Sequence, residues 1–221
     1  MLNRIRTAAL VSALLLSSFS ARAALLNPDS NTASTSSIAG VPVIPAMTTE
    51  VSGIEQKLQL IGAGLRSKKV ALASVKVYVA QAYAQAPTAI IREDAKVLAS
   101  LANAGTLAIQ LKFLRTVEAA TVQNSFRDAF FANKIDVNQP EIAAFLKAVN
   151  SGGDASEGST LTIRATQLVD GTEEIDYEDS KGVIQTVTGP AGTRLKVFAL
   201  WYGIPADSGL TTLKAALLNQ P

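Results

Sequence analysis

Arg66 is the residue in this sequence best suited to hold an anion. It follows Gly62-Ala63-Gly64 and lies among Leu65, Val70 and Leu72. A guanidinium among apolar strand positions needs a partner if it is buried. A ligand carboxylate taken bidentately is one candidate, and an internal acid such as Glu50 or Glu55 is another. Tyr78 and Tyr83, on the strand that follows, each could add a phenolic hydroxyl, although a strand tyrosine is more often packing. The 221 residues include no His and no Cys, which removes Ser-His-Asp and Cys-His catalysis together with most transition-metal sites. Chemistry is left to carboxylates, Lys, Arg, Tyr and hydroxyls, and nothing in the sequence suggests a metal or an organic cofactor.

Two other patterns carry less. Gly62-x-Gly64 lacks the last glycine of a dinucleotide fingerprint, because Ser67 stands there, and its surroundings read as a hairpin turn. The acidic stretch Asp170–Asp179 lacks the order of a calcium loop. Glu174, Asp176 and Glu178 alternate along one face of a strand, and the spacing predicts a solvated sheet face.

The elements that must position these residues follow from hydrophobic period. Residues 50–61, 65–72 and 74–83 read as three strands of an antiparallel meander, with the first break at the glycine pair. Residues 87–103 have helical spacing ending at Gly105, and 106–114 return to strand. Thr116 is placed to cap a helix running to about Asn133, and Pro140 suits the first turn of a second that stops at Gly152-Gly153. Strands over 159–168, 173–179 and 182–187 follow, separated by the turn signals Asp170-Gly171 and Lys181-Gly182. Helices over 191–202 and 208–219 close the chain. Strands, helices, strands and helices in that order predict an α+β fold, a large antiparallel sheet with its helices gathered on one face and a ligand cleft between the layers.

The amino terminus reads as an export signal. Arg4 and Arg6 precede an apolar run from Ala8 to Leu16, and Ala21-Arg22-Ala23 gives the small-x-small pattern of a cleavage site, so residues 1–23 are expected to be removed and the protein to be periplasmic or secreted. The run is shorter than the ~20 residues a spanning helix needs. Cleavage takes Arg4, Arg6 and Arg22 from the 20 basic residues, leaving 17 against 18 acidic ones, a net charge of −1. A near-neutral surface whose only adjacent basic pair is Lys68-Lys69 argues against nucleic acid and anionic membrane as main partners. Residues 24–40, rich in Ser, Thr, Asn and Ala, read as a flexible linker, and 41–221 as one domain.

Leu60-Ile-Gly-Ala-Gly-Leu-Arg66 followed by Val75-Lys-Val-Tyr-Val-Ala80 resembles the opening of chalcone isomerase-like proteins. Leu111-Lys-Phe-Leu-Arg-Thr116, Leu200-Trp-Tyr-Gly-Ile-Pro205 and Leu213-Lys-Ala-Ala-Leu-Leu218 extend the resemblance over residues 50–219, closest to the exported bacterial branch. It implies an open-faced β-sandwich with a ligand cleft between sheet and helices. The enzymes of that family close a ring by intramolecular oxa-Michael addition, with an Arg holding the substrate phenolate and Thr and Tyr hydroxyls organising a water at the carbonyl. Arg66 matches that Arg. The Thr position falls on Ala73, the Tyr position near Glu118 or Ala119, and the hydroxyl before the final glycine motif on Leu200. Loss of groups that position a carbonyl removes several kcal/mol of transition-state stabilisation.

Fatty-acid-binding relatives keep the Arg and line the cleft with apolar side chains, so the resemblance implies a non-catalytic protein binding a fatty acid or similar amphipathic carboxylate through Arg66, Ala73, Tyr78, Tyr83 and Leu200. Two readings stay open beside it. One is an isomerase, an intramolecular lyase using Arg66 and Glu118, which predicts a buried Glu118. The other is a surface acting on a protein partner, which predicts a filled cleft.

Overall fold

Alternation of apolar and polar residues builds eight strands of the chain into one curved antiparallel sheet. The computed structural model describes residues 24–34, 36–70 and 73–219; the export signal expected over 1–23 lies outside them. The strands are β1 (Asn27–Pro28), β2 (Ser36–Ile38), β3 (Val41–Val43), β4 (Ala46–Val51), β5 (Ile54–Val70), β6 (Ala73–Ala84), β7 (Leu107–Phe113), β8 (Thr160–Gln167), β9 (Glu173–Glu178) and β10 (Ile184–Gly189). The helices are α1 (Val97–Ser100), α2 (Ala119–Ala132), α3 (Pro140–Ser151), α4 (Thr193–Tyr202) and α5 (Ser208–Leu218). Among the described residues the main sheet has eight strands in the order β1-β4-β5-β6-β7-β8-β9-β10, and β2 and β3 pair separately. The α+β class and the helices gathered over one face agree with the order of periodic segments.

The expected break at Gly62-Ala63-Gly64 is not a turn. The turn falls earlier, at Ser52-Gly53, and β5 runs through the glycines for 17 residues. Their bareness serves packing: a Cβ on Gly62 would overlap the Leu217 carbonyl oxygen, and one on Gly64 would come within 2.8 Å of Ala216 Cβ, so α5 lies directly on the strand. The segment over 87–103 is also less helical than its spacing, giving 3-10 turns at Pro87–Ala89 and Leu101–Asn103 around the short α1.

Register shifts decide what β5 presents. The pairing steps from Leu60↔Tyr83 to Gly62↔Ala82, leaving Ile61 as an extra residue. One extra residue reverses the two-residue period of a strand. Leu58 therefore faces the back of the sheet, whereas Gly62, Gly64 and Arg66 face the helices. Arg92 Nη1 donates to the Ile61 carbonyl at 2.8 Å. A second shift, from Arg66↔Tyr78 to Ser67↔Lys76, leaves Val77 extra in β6 and turns both Val77 and Tyr78 to the helical side.

The start of the stretch expected to be a flexible linker packs onto the sheet, with Leu25, Leu26 and Asp29 buried. Arg164 on β8 donates to Thr49 Oγ1 on β4 at 3.0 Å, which requires the sheet to curl into a half-barrel. Leu26, Met47, Leu58, Tyr83 and Ala108 fill its concave side, and β1 pairs with β4. Two of the three carboxylates on the acidic face of β9 are consequently not solvated. Asp176 and Glu178 are buried, Asp176 accepts from Arg164 Nη2 at 2.6 Å and Thr186 Oγ1 at 2.6 Å, and Glu178 accepts from the Leu25 N–H at 3.2 Å.

Burial pushes the Glu178 carboxyl above its ordinary value, against bonds from Leu25 and Thr162 that favour the charged form. A raised carboxylate contributes stability that is complete below its unfolded value and is lost as pH rises through the folded one. Glu178→Gln is therefore expected to raise the thermal midpoint at pH 7 by a few degrees and to flatten the fall in stability above pH 4.5; thermal melts across that range check it.

Candidate ligand cleft

A cavity of about 1270 Å³ opens between the β5–β7 end of the sheet, α2, the end of α4 and the loop into α5. The sheet wall is Val77, Tyr78, Leu111 and Phe113, the α2 wall Val122, Phe126 and Ala129, and the far wall Leu200, Trp201 and Leu210. The α2 positions recur at helical spacing, so one face of the helix lines the space. Aromatic rings brace this lining: Tyr78 and Phe113 lie 5.4 Å apart, and Phe126 meets Trp201 edge-on at 5.6 Å and stacks on Phe145 at 6.0 Å. The Trp201 indole N–H donates to Tyr78 Oη at 3.3 Å. Burial raises the Tyr78 phenol, with Trp201 and Arg66 acting in the opposite direction, so the hydroxyl keeps its proton at neutral pH.

Arg66 lines the cavity with its side chain only 8% exposed. Its Nη2 meets Asp207 Oδ2 at 2.5 Å and its Nη1 donates to the Ser67 carbonyl. Asp207 also starts α5, where Oδ1 accepts from the Leu210 N–H at 2.9 Å. Partial burial acts to raise its pKa, but the Leu210 bond and the Arg66 charge outweigh that and hold the carboxyl below its ordinary value. The pair is thus ionised, and Asp207 is the internal acid that the sequence left open. Lys68 and Arg115 also line the cavity, as do Glu118 and Asp128, so its cations and anions balance.

Of the residues assigned to a site from sequence, Arg66, Tyr78, Leu200 and Glu118 line this one cavity. Ala73 and Tyr83 do not. Ala73 is exposed at the start of β6, beyond the lining. Tyr83 is an odd number of residues from Tyr78, and β6 pairs with β7 without a break between them, so it points to the opposite face and donates from Oη to Gln81 Oε1 at 3.1 Å. Glu118 is exposed rather than buried, and Thr116 accepts from the Glu157 N–H instead of capping α2, which begins after Glu118. The cleft is also not filled. Sequence reasoning missed Asp207, Trp201 and Phe126. Asp207 had a local signal, an Asp before a helix start, but nothing local joins it to an arginine 141 residues away.

A family model described as chalcone isomerase-like matches residues 35–219. No curated protein matches the chain. Among solved structures, a fatty-acid binding protein of Arabidopsis thaliana is similar at 16% sequence identity, over 77% of this chain and 96% of that one, with a TM-score of 0.48.

Proposed function

Because this chain belongs to the chalcone isomerase-like family, we propose that it is an exported, non-catalytic binding protein for a long-chain fatty acid or similar amphipathic carboxylate. The observation that carries this reading is one buried guanidinium in the lining of a large cavity walled by Phe113, Phe126, Leu200 and Trp201. The walls suit an acyl chain, whose burial contributes about 0.8 kcal/mol per methylene. A guanidinium carries more N–H donors than the Asp207 and Ser67 bonds use, so Arg66 can still take a headgroup oxygen, with the Tyr78 hydroxyl on the adjoining strand. Against the isomerase reading, a general base is ordinarily tuned by burial and neighbours, and Glu118 is exposed at the cleft edge. Export rests on Arg4, Arg6, the apolar run and Ala21-Arg22-Ala23. No helix among the described residues is long and apolar enough to cross a membrane.

Native mass spectrometry of the full-length gene product, followed by denaturing extraction, tests the binding and the export together. The expected wild-type result is a chain beginning at Ala24 that carries a carboxylate-bearing lipid. Arg66→Ala is expected to lose it and to bind hexadecanoate roughly 10- to 100-fold more weakly, the range of a charge-assisted hydrogen bond. A wild-type protein that is empty, and that hexadecanoate does not stabilise thermally, overturns the binding reading; a chain retaining residues 1–23 overturns the export reading.

A further inference from the structure

The anchor proposed for a ligand carboxylate already holds a carboxylate of the protein. Resting on the binding function proposed above, we infer that Asp207 sets the headgroup selectivity of the cleft: it occupies Arg66, and an anionic headgroup must displace it or share the arginine with it, whereas an uncharged one meets neither penalty.

The two oxygens of Asp207 have separate tasks. Oδ1 caps α5 through the Leu210 N–H, and Oδ2 alone meets Arg66. The partners also differ in access to water, the Asp207 side chain being 40% exposed and that of Arg66 8%. Asp207 can therefore release Oδ2 and be solvated, while Arg66 remains in the cavity wall. The helix itself is not the moving part. Gly209, in the first turn of α5, lies so close to Arg66 Nη1 and the Ser67 carbonyl that a Cβ there would overlap both, so α5 is seated on the arginine.

A ligand carboxylate that joined Arg66 without displacing Asp207 would place two anions around one guanidinium in a partly buried site, where like charges disfavour each other. Displacement avoids this at the cost of the existing ion pair. Either route weakens acids, and neither applies to an alcohol of the same chain length. Lys68 and Arg115 do not supply a surplus of positive charge, because Glu118 and Asp128 line the same cavity.

Asp207→Asn separates the two tasks, since Asn caps a helix about as well as Asp but carries no charge. Dissociation constants for dodecanoate and dodecanol, read from the fluorescence of Trp201, the chain's one tryptophan, are compared between wild type and D207N, with thermal melts confirming that α5 stays in place. The expected result is about tenfold tighter dodecanoate binding in D207N with dodecanol unchanged. Wild-type binding with dodecanoate unchanged or weakened in D207N, or with both probes shifted equally, overturns the role of Asp207 and leaves the binding function standing. Failure of both proteins to bind either probe overturns the binding function itself.

Discussion

Gly62→Val is expected to destabilise the domain by about 3 kcal/mol or more, at or beyond the upper end of ordinary overpacking. The first atom of any side chain at this position would overlap the carbonyl oxygen and Cα of Leu217, which are backbone atoms of α5 and cannot rotate away. The helix has to lift from β5. Since α5 carries Leu210 of the cavity lining and its cap Asp207 holds Arg66, ligand binding should fall in the same variant. Gly64→Ala makes a graded comparison. Its neighbours are the side-chain atoms Ala216 Cβ at 2.8 Å and Leu213 Cδ1 at 2.9 Å, of which the leucine can adjust, so the expected loss is nearer 1–2 kcal/mol. Urea unfolding of both variants measures the difference, and a Gly62→Val protein within 1 kcal/mol of wild type would show that α5 is free to move.

Arg194→Ala is expected to cost about 3–5 kcal/mol, the consequence of leaving a buried carboxylate without its partner. Arg194 and Glu173 have side chains only 4% and 5% exposed. The arginine Nε donates to Glu173 Oε1 at 3.1 Å, the Arg194 backbone N–H to Oε2 at 2.7 Å, and Nη1 to the Gly105 carbonyl at 2.7 Å. These bonds pin the first turn of α4 to β9 and to the turn before β7. The far end of that helix carries Leu200 and Trp201 into the cleft, so the pair acts on the ligand site through the rigidity of α4. Replacing both residues by leucine should recover much of the loss, because the penalty belongs to the orphaned charge more than to the missing attraction. A double-mutant cycle in urea checks both statements; additive losses would contradict the pairing.

Local chemistry made a good part of this architecture readable. Helix starts at Pro140 and after Asp207, the strands of the acidic hairpin and the α+β order all follow from side-chain period and turn residues, which act over a few neighbours. The importance of Arg66 was legible for the same reason: a cation among apolar strand residues has to be answered by something. Opposite orientations of Tyr78 and Tyr83 were also implicit in the two-residue period of a strand.

Tertiary structure decided what those residues meet. Gly62 and Gly64 look locally like a turn, and only the approach of α5 from the other end of the chain shows them as the seat of a helix. A one-residue shift at Ile61 turns Arg66 toward the helices, and no period in the sequence announces it. Glu174, Asp176 and Glu178 alternate as an exposed face would, yet the amino-terminal segment and Arg164 enclose Asp176 and Glu178, because the sheet curls far enough to bring β4 to β8. The internal acid that Arg66 meets is Asp207, distant in sequence and adjacent in space. Sequence by itself determined which residues could form each element and which charges needed partners, since those depend on near neighbours; partners and faces depended on contacts between distant segments, which exist only in the folded chain.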